Sequence, residues 1–158
     1  MAIANTIAQH LIWVLWAIRP NWKKGKLPDE SPGRHVITQG TGNIIEYFVH
    51  NGTGCEETRI NILIITGVGR VNNAANLARY EEYFGSQYNI CIPNLPGYGS
   101  TSGKLSIFPT TEDQVLNNQK LILDTLGWDM RNTVFLGISY GMSTFCKIIS
   151  LCEAKHPK

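Results

Sequence analysis

The stretch that decides the fold is TVFLGISYG, residues 133–141. Its first part, Thr133 to Ile138, is apolar and rich in β-branched side chains, which predicts a buried strand. The run that follows, 141–152, carries apolar side chains at helical spacing and predicts a helix. Because the strand passes into the helix through a single tight turn, the stretch is typical of an α/β protein.

The turn itself has the pattern G-x-S-x-G, formed by Gly137, Ile138, Ser139, Tyr140 and Gly141. Glycines two residues on either side of the serine let the neighbouring backbone approach without a Cβ clash. The N-terminus of the following helix directs N–H groups and a positive dipole end towards charge that develops at the serine. The pattern therefore predicts a nucleophile elbow, with Ser139 as the nucleophile. The alternative is a tight turn with a helix-capping serine.

Strands and helices alternate outward from this stretch. A β-hairpin is predicted at 35–50 with a four-residue turn at 40–43, followed by a helix at 74–84 and a strand at 88–92. A second helix is expected to start at a capping box of Thr111 and Gln114 and to end at Gly127. Ile60 to Thr66 is apolar on both faces, as in a parallel sheet. We therefore predict an α/β three-layer sandwich with a mostly parallel sheet preceded by a β-hairpin.

Three segments, in order along the chain, resemble the N-terminal half of an α/β hydrolase. ILIITGVG (62–69) is similar to the strand and H-G-x oxyanion loop of that family, PNLPGYGS (93–100) to its D-x-x-G-x-G-x-S loop, and GISYG (137–141) to its elbow. The order and the spacing are those of the family, and the resemblance covers about residues 35–156. The whole chain is also similar to a shortened member of the chlamydial 43 kDa hydrolase-like family.

The resemblance implies a truncated α/β-hydrolase fold in which Ser139 attacks an ester or acyl substrate. It implies oxyanion donors at the backbone N–H groups of Val68 and Tyr140. It also implies that the strands at 60–66 and 133–138 are parallel neighbours. Two positions depart from the family pattern, since Thr66 replaces a histidine and Asn94 replaces an aspartate. The arrangement of their two loops is therefore open.

The family triad continues after the serine with an acid and then a histidine. Only 19 residues follow Ser139, with Glu153 and His156 among them. If the helix continues, His156 lies roughly 25 Å from the serine at 1.5 Å per residue, whereas a general base needs about 3 Å. Surface or polar-face roles are expected for His35, His50, Asp113, Asp124 and Asp129. We therefore expect a serine hydrolase site without its acid or histidine, inactive as this chain.

The N-terminus differs in character from the rest of the chain. Residues 1–18 carry no charged side chain, and their strongest apolar run is LIWVLWAI, 11–18. Three of the four tryptophans and a basic flank fall in this region: Trp13, Trp16, Trp22, Arg19, Lys23, Lys24 and Lys26. Polar interruptions such as His10 disfavour a spanning helix, and the uncharged start disfavours a signal peptide.

Two interpretations of residues 3–18 stay open: a helix that lies on a membrane surface and a helix packed on the domain's own surface. The segment 20–33 is rich in Pro, Gly and Lys and predicts a linker. We therefore divide the chain into an N-terminal helix and basic linker over 1–33 and an α/β-hydrolase half over 34–158. The expected location is cytoplasmic, with membrane association through residues 3–18 where they contact lipid.

Composition excludes several function classes. Lys and Arg total 14 against 12 Asp and Glu, a net charge of +2, which gives no support to nucleic-acid binding. The four cysteines have no C-x-x-C spacing, so zinc and thioredoxin-like sites are not indicated, and they are interpreted as reduced thiols. No metal or cofactor is expected.

Two rival functions are considered. TGVG, residues 66–69, resembles the start of a dinucleotide-binding turn, but Asn72 occupies the third glycine position and no acid follows the next strand. The second rival function is that of a non-enzymatic remnant or an interaction module that pairs through an open sheet edge.

Overall fold

The computed structural model describes residues 31–55, 59–69, 71–104 and 109–155. The predicted helix at 3–18, the linker before residue 31 and His156 lie outside these residues. Within them, no helix is both long and apolar enough to cross a membrane. The elements are β1 Arg34–Thr38, β2 Ile44–His50, β3 Asn61–Ile65, α1 Ala74–Phe84, β4 Asn89–Pro93, α2 Pro109–Leu126, a 3-10 turn Met130–Asn132, β5 Thr133–Gly137 and α3 Gly141–Lys155.

The five strands form one mixed sheet in the order β1-β2-β4-β3-β5. The β1–β2 hairpin is antiparallel, and β2 also runs antiparallel to β4. β3 is parallel to both of its neighbours, β4 and β5. Asn61 lies opposite Thr133 and Ile65 lies opposite Gly137, so the prediction that these two strands are parallel neighbours is confirmed.

Helices cover both faces of the sheet, which gives the predicted three layers. Successive side chains of β3 point to opposite faces. Ile62 and Ile64 pack in one cluster with Leu77 of α1. On the other face, Leu63 packs with Ile122 and Leu123 of α2, and Ile65 packs with Val115 of α2 and Ile148 of α3. The burial of β3 on both faces agrees with its continuous apolar sequence.

Two local predictions were wrong. The helix α2 begins at Pro109, so Thr111 lies inside the helix and not at its N-terminal cap. Proline is favoured at a first helical position, where its fixed φ is already helical and its missing N–H has no intrahelical partner. The hairpin turn is also shorter than the predicted 40–43: the N–H of Gln39 donates to the carbonyl oxygen of Asn43 at 2.8 Å, which pairs these two residues and leaves a three-residue loop at 40–42.

A buried carboxylate connects the hairpin to the loop that follows β4. Glu46 of β2 is fully buried. It accepts hydrogen bonds from Arg34 Nε at 2.6 Å, from Asn94 Nδ2 at 2.7 Å and from the N–H of Ser100 at 2.8 Å. A buried charge is costly unless it is paired and hydrogen-bonded. The three donors come from β1 and from the 94–100 loop, so the charge of Glu46 holds these segments in one arrangement.

The stretch 99–103 has the sequence GSTSG, which predicts a flexible loop, but it is instead bonded along β2. Thr101 is buried, and its hydroxyl accepts the N–H of Glu46 at 3.0 Å. Ser102 exchanges two hydrogen bonds with the backbone of Ile44, at 2.8 and 2.9 Å. Gly99 has a φ of +55°, and a Cβ there would overlap the carboxylate of Glu46. The prediction failed because the hydroxyl groups supply the hydrogen bonds that a further strand would otherwise make.

We expect Asn94→Asp to destabilise the fold by about 3 kcal/mol near neutral pH, because it removes a donor to Glu46 and buries a second carboxylate beside it. The deficit should shrink as the pH falls, because the introduced carboxyl group regains a donor and loses its charge when it is protonated. Urea denaturation at several pH values measures both effects. Asn43→Asp in the exposed hairpin turn is the matched control and should change stability by less than about 0.5 kcal/mol. Equal effects of the two substitutions would contradict this account.

Candidate active site

Ser139 lies at the turn between β5 and α3. It is exposed, and its φ of +56° makes it the one non-glycine residue with a positive φ in the described part of the chain. The N–H of Ile138 still donates to Ile65 in β3, at 2.9 Å, and the N–H of Met142 already donates to the carbonyl oxygen of Ser139, at 3.0 Å. The backbone therefore changes from strand to helix within three residues. A left-handed conformation at a non-glycine residue is strained and persists only where the surroundings enforce it.

The two glycines of the pattern permit this turn by close backbone contact. A Cβ on Gly137 would lie 2.6 Å from the carbonyl oxygen of Gly141. A Cβ on Gly141 would overlap the carbonyl oxygen of Ile65 in β3. Neither position accepts a side chain without movement of backbone, which is the role that the sequence assigned to Gly137 and Gly141.

The loop after β3 lies directly against the serine. A Cβ on Gly67 would come within 2.8 Å of the Ser139 Cβ and 3.2 Å of its Oγ. The loop is fixed further along, where the N–H of Gly69 donates to the hydroxyl of Tyr98 at 3.2 Å. Val68 lies between these two anchored glycines. The roles of the Val68 and Tyr140 N–H groups as oxyanion donors stay predictions.

A buried polar network lies behind this loop and includes both positions that depart from the family pattern. The Asn72 amide donates to the hydroxyl of Thr66 at 3.0 Å and to the carbonyl oxygen of Pro93 at 2.6 Å. Asn94 Oδ1 accepts the N–H of Asn72 at 2.7 Å, and Asn94 also donates to Glu46. Thr66, Asn72 and Asn94 are at most 6% exposed. The network ties the end of β3 to the end of β4.

Sequence reasoning missed Glu46 and Asn72 as members of this network. The one available signal was the glutamate in the middle of the apolar strand IIEYFVH, 44–50. A charged residue in such a strand needs buried partners. Nothing in the sequence pointed to Asn72.

The two histidines of the described residues lie far from Ser139. His35 of β1 stacks on Tyr47, and His50 at the end of β2 contacts Ser86 and Glu81. In the observed strand order, β2 and β1 lie three and four strands from β5, about 14 and 19 Å at the usual spacing. A general base must come within about 3 Å of the hydroxyl, so neither histidine serves Ser139.

The acids predicted to have surface roles are exposed. Asp113 pairs with Lys147, and Asp124 lies exposed on α2. Asp129 pairs with Arg131 at 2.6 Å, and the hydrogen bonds from that side chain lower the pKa of Asp129 to about 2. All three are exposed, whereas a catalytic acid of this kind is buried.

The remaining reactive groups of the described residues form no metal site. Cys91 is fully buried in β4, and burial raises the pKa of its thiol well above the usual range, so it is an inert core residue. Among the described residues, no three His, Cys, Asp or Glu side chains cluster as metal ligands would.

No protein-family profile matches the chain, and no curated protein matches it in sequence. Solved structures do match. An α/β hydrolase from Novosphingobium aromaticivorans shares 19% identity over 80% of this chain and 41% of its own, with a TM-score of 0.56. An epoxide hydrolase from Vigna radiata shares 20% identity over 75% of this chain and 35% of its own, with a TM-score of 0.50. The fold is therefore that of an α/β hydrolase, as the three sequence segments implied. The chain spans less than half the length of either hydrolase.

We expect Gly141→Ala to destabilise the protein by about 3 kcal/mol, because the added methyl group would force the elbow away from β3. Gly40→Ala is the matched control: no atom lies within 4 Å of its added Cβ, and its φ is not in the left-handed region. Thermal or urea denaturation of the two variants makes the comparison. Equal stabilities would show that α3 does not approach β3 as described.

Proposed function

We propose that this chain carries the nucleophile half of a serine hydrolase that acts on an ester or acyl bond, with Ser139 as the attacking residue. The observation that carries the proposal is the left-handed backbone of Ser139 at an exposed turn, with Gly67 packed against it. Strain of this kind clusters at functional sites. If this surface turn had no chemical role, a glycine at the serine position would be expected, because glycine adopts a left-handed backbone without strain.

The proposed chemistry is acyl transfer. Ser139 Oγ attacks the substrate carbonyl carbon, and the C–O bond to the leaving alcohol breaks when the tetrahedral intermediate collapses. Water then hydrolyses the acyl-serine and releases the acid. The N–H groups of Val68 and Tyr140 are the proposed donors to the oxyanion, supported by the N-terminus of α3. This chemistry uses no metal or cofactor.

The step that limits the proposed site is removal of the proton from the serine hydroxyl. A neutral hydroxyl is a poor nucleophile and needs an adjacent base. Neither His35 nor His50 lies within reach, and loss of triad members costs on the order of 10⁴–10⁶ in rate. We therefore propose that the described residues alone make a poor catalyst, and that a complete site takes its base from residues outside the described ranges.

The dinucleotide-binding alternative is not favoured by the site. Its turn requires a glycine where this chain has Asn72, so that helix and strand pack closely. Asn72 is 2% exposed, and its amide holds Thr66 and Pro93. The two ends of this loop, Thr66 and Asn72, are therefore bonded to protein groups.

The test is acylation of the purified chain by a short activated ester, followed by mass spectrometry of its peptides. We expect the acyl group on Ser139 in preference to other serines, because the oxyanion donors alone retain roughly 10³–10⁴ of catalysis. Turnover should stay well below about 1 s⁻¹. Adding imidazole as an external base should raise turnover in the wild type but not in Ser139→Ala.

Ser150→Ala is the matched control, since Ser150 is an exposed serine in α3, the helix that follows Ser139. It should leave acylation unchanged. Acylation spread evenly over the serines would contradict the proposal that Ser139 is the nucleophile and would favour a non-enzymatic module. Ser139-dependent turnover near 1 s⁻¹ without imidazole would show that a base is already in place.

A further inference from the structure

The loop that contains Val68, whose N–H is a proposed oxyanion donor, is held on both sides of that residue. Before it, Gly67 packs against Ser139. After it, the buried Gly69 donates its N–H to the hydroxyl of Tyr98 at 3.2 Å. The Gly69 N–H and the Val68 carbonyl belong to one planar peptide group. The Tyr98 hydroxyl therefore fixes the peptide plane that directly follows the Val68 Cα.

Tyr98 is itself held in place by the loop that carries it, residues 95–101. Its N–H donates to the carbonyl oxygen of Leu95 at 2.9 Å, and its own carbonyl oxygen accepts the N–H of Thr101 at 3.0 Å. Gly97 and Gly99, on either side of it, have φ angles of +81° and +55°. The loop is bonded to β2 through the Thr101 hydroxyl. The tyrosine hydroxyl therefore projects from a backbone that is anchored to the sheet.

The Tyr98 ring and its hydroxyl make separate contributions to this arrangement. The ring is half-buried and packs, as Val68 does, against a core cluster that includes Tyr140, the residue of the second proposed oxyanion donor. The hydroxyl satisfies the Gly69 N–H, which would otherwise be a buried donor without a partner. Removal of the hydroxyl alone therefore releases the loop and leaves the ring packing intact.

We propose that Tyr98 is a positioning residue for the oxyanion site, and that its hydroxyl keeps the Val68 N–H directed at the developing oxyanion by holding Gly69. This inference rests on the function proposed for Ser139. Oxyanion stabilisation is strong when the donors are in place before the charge develops, because no reorganisation is then needed during the reaction. Tyr98 acts through the loop backbone and is not itself a donor to the substrate.

Tyr98→Phe tests the proposal, because it removes the hydroxyl and keeps the ring. Acylation of Ser139 in the purified chain is measured with imidazole present, using a short activated ester and the thionoester with the same leaving group. Oxygen accepts hydrogen bonds strongly and sulfur weakly, so a positioned N–H favours the ester. We expect Tyr98→Phe to slow acylation by the ester about tenfold, a part of the roughly 10²–10³-fold effect of a whole oxyanion donor. The thionoester should be slowed less, so the ester-to-thionoester rate ratio should fall.

Thr133→Val is the matched control for loss of a hydroxyl hydrogen bond. The Thr133 hydroxyl donates to the carbonyl oxygen of Asp129 at 2.8 Å, at the other end of β5 and about 20 Å along the chain from Ser139. The substitution keeps the side-chain shape and does not touch the loop at 66–72. We expect it to lower the urea midpoint and to leave the rate ratio unchanged.

Amide hydrogen exchange followed by NMR gives a readout that does not depend on catalysis. The Gly69 amide should exchange faster in Tyr98→Phe than in the wild type, because the substitution removes its acceptor. Thr133→Val should leave this exchange rate unchanged. Circular dichroism spectra that match the wild type would show that both variants keep the fold.

Three results would overturn the role of Tyr98 and leave the proposed function standing. They are an unchanged rate ratio in Tyr98→Phe when acylation still depends on Ser139, an equal fall of the ratio in Thr133→Val, and unchanged exchange of the Gly69 amide in Tyr98→Phe. Equal acylation of the wild type and Ser139→Ala would instead reject the proposed function, and the role of Tyr98 with it.

Discussion

The buried charge of Glu46 is the constraint on which the arrangement of the loops depends. A carboxylate without solvent contact must be matched by donors, and Arg34, Asn94 and Ser100 supply them. Asn94 passes this constraint to Asn72, whose amide holds Thr66 at the end of β3. The loop that begins one residue later lies against Ser139. The position of the Glu46 carboxylate in the β-hairpin is thus linked to the position of the loop that lies against Ser139 in the candidate site.

The same network explains why this chain departs from the family pattern at two positions. An aspartate in place of Asn94 would put a second carboxylate against Glu46, whereas the asparagine both donates to Glu46 and accepts from Asn72. Thr66 supplies the oxygen that the Asn72 amide needs. The two replacements are compatible, because each one supplies a hydrogen-bond partner to a buried polar group of the network.

The strain at Ser139 is maintained by packing on both sides of the turn. Gly137 and Gly141 bring α3 against β3, and Gly67 closes the turn from the neighbouring loop. Because the hydrogen bonds of Ile138 and Met142 continue the strand and the helix up to the serine, the turn has no freedom to relax. Under the proposed function, this fixed conformation orients the Ser139 hydroxyl for attack before substrate binds, and such positioning alone accelerates a reaction.

The sequence by itself determined the order of elements, the sharp strand-to-helix turn at 137–141 and the fold, because hydrophobic periodicity and close backbone approach depend on local residue types. It misjudged the start of α2, where a proline occupies the first helical position. It also misjudged the stretch 99–103, where hydroxyl groups make hydrogen bonds to β2. Only the tertiary structure decided that Glu46, Asn72 and Asn94 form one network and that His35 and His50 lie three or more strands from Ser139. Those facts depend on strand order and on contacts between residues distant along the chain, which no local pattern encodes.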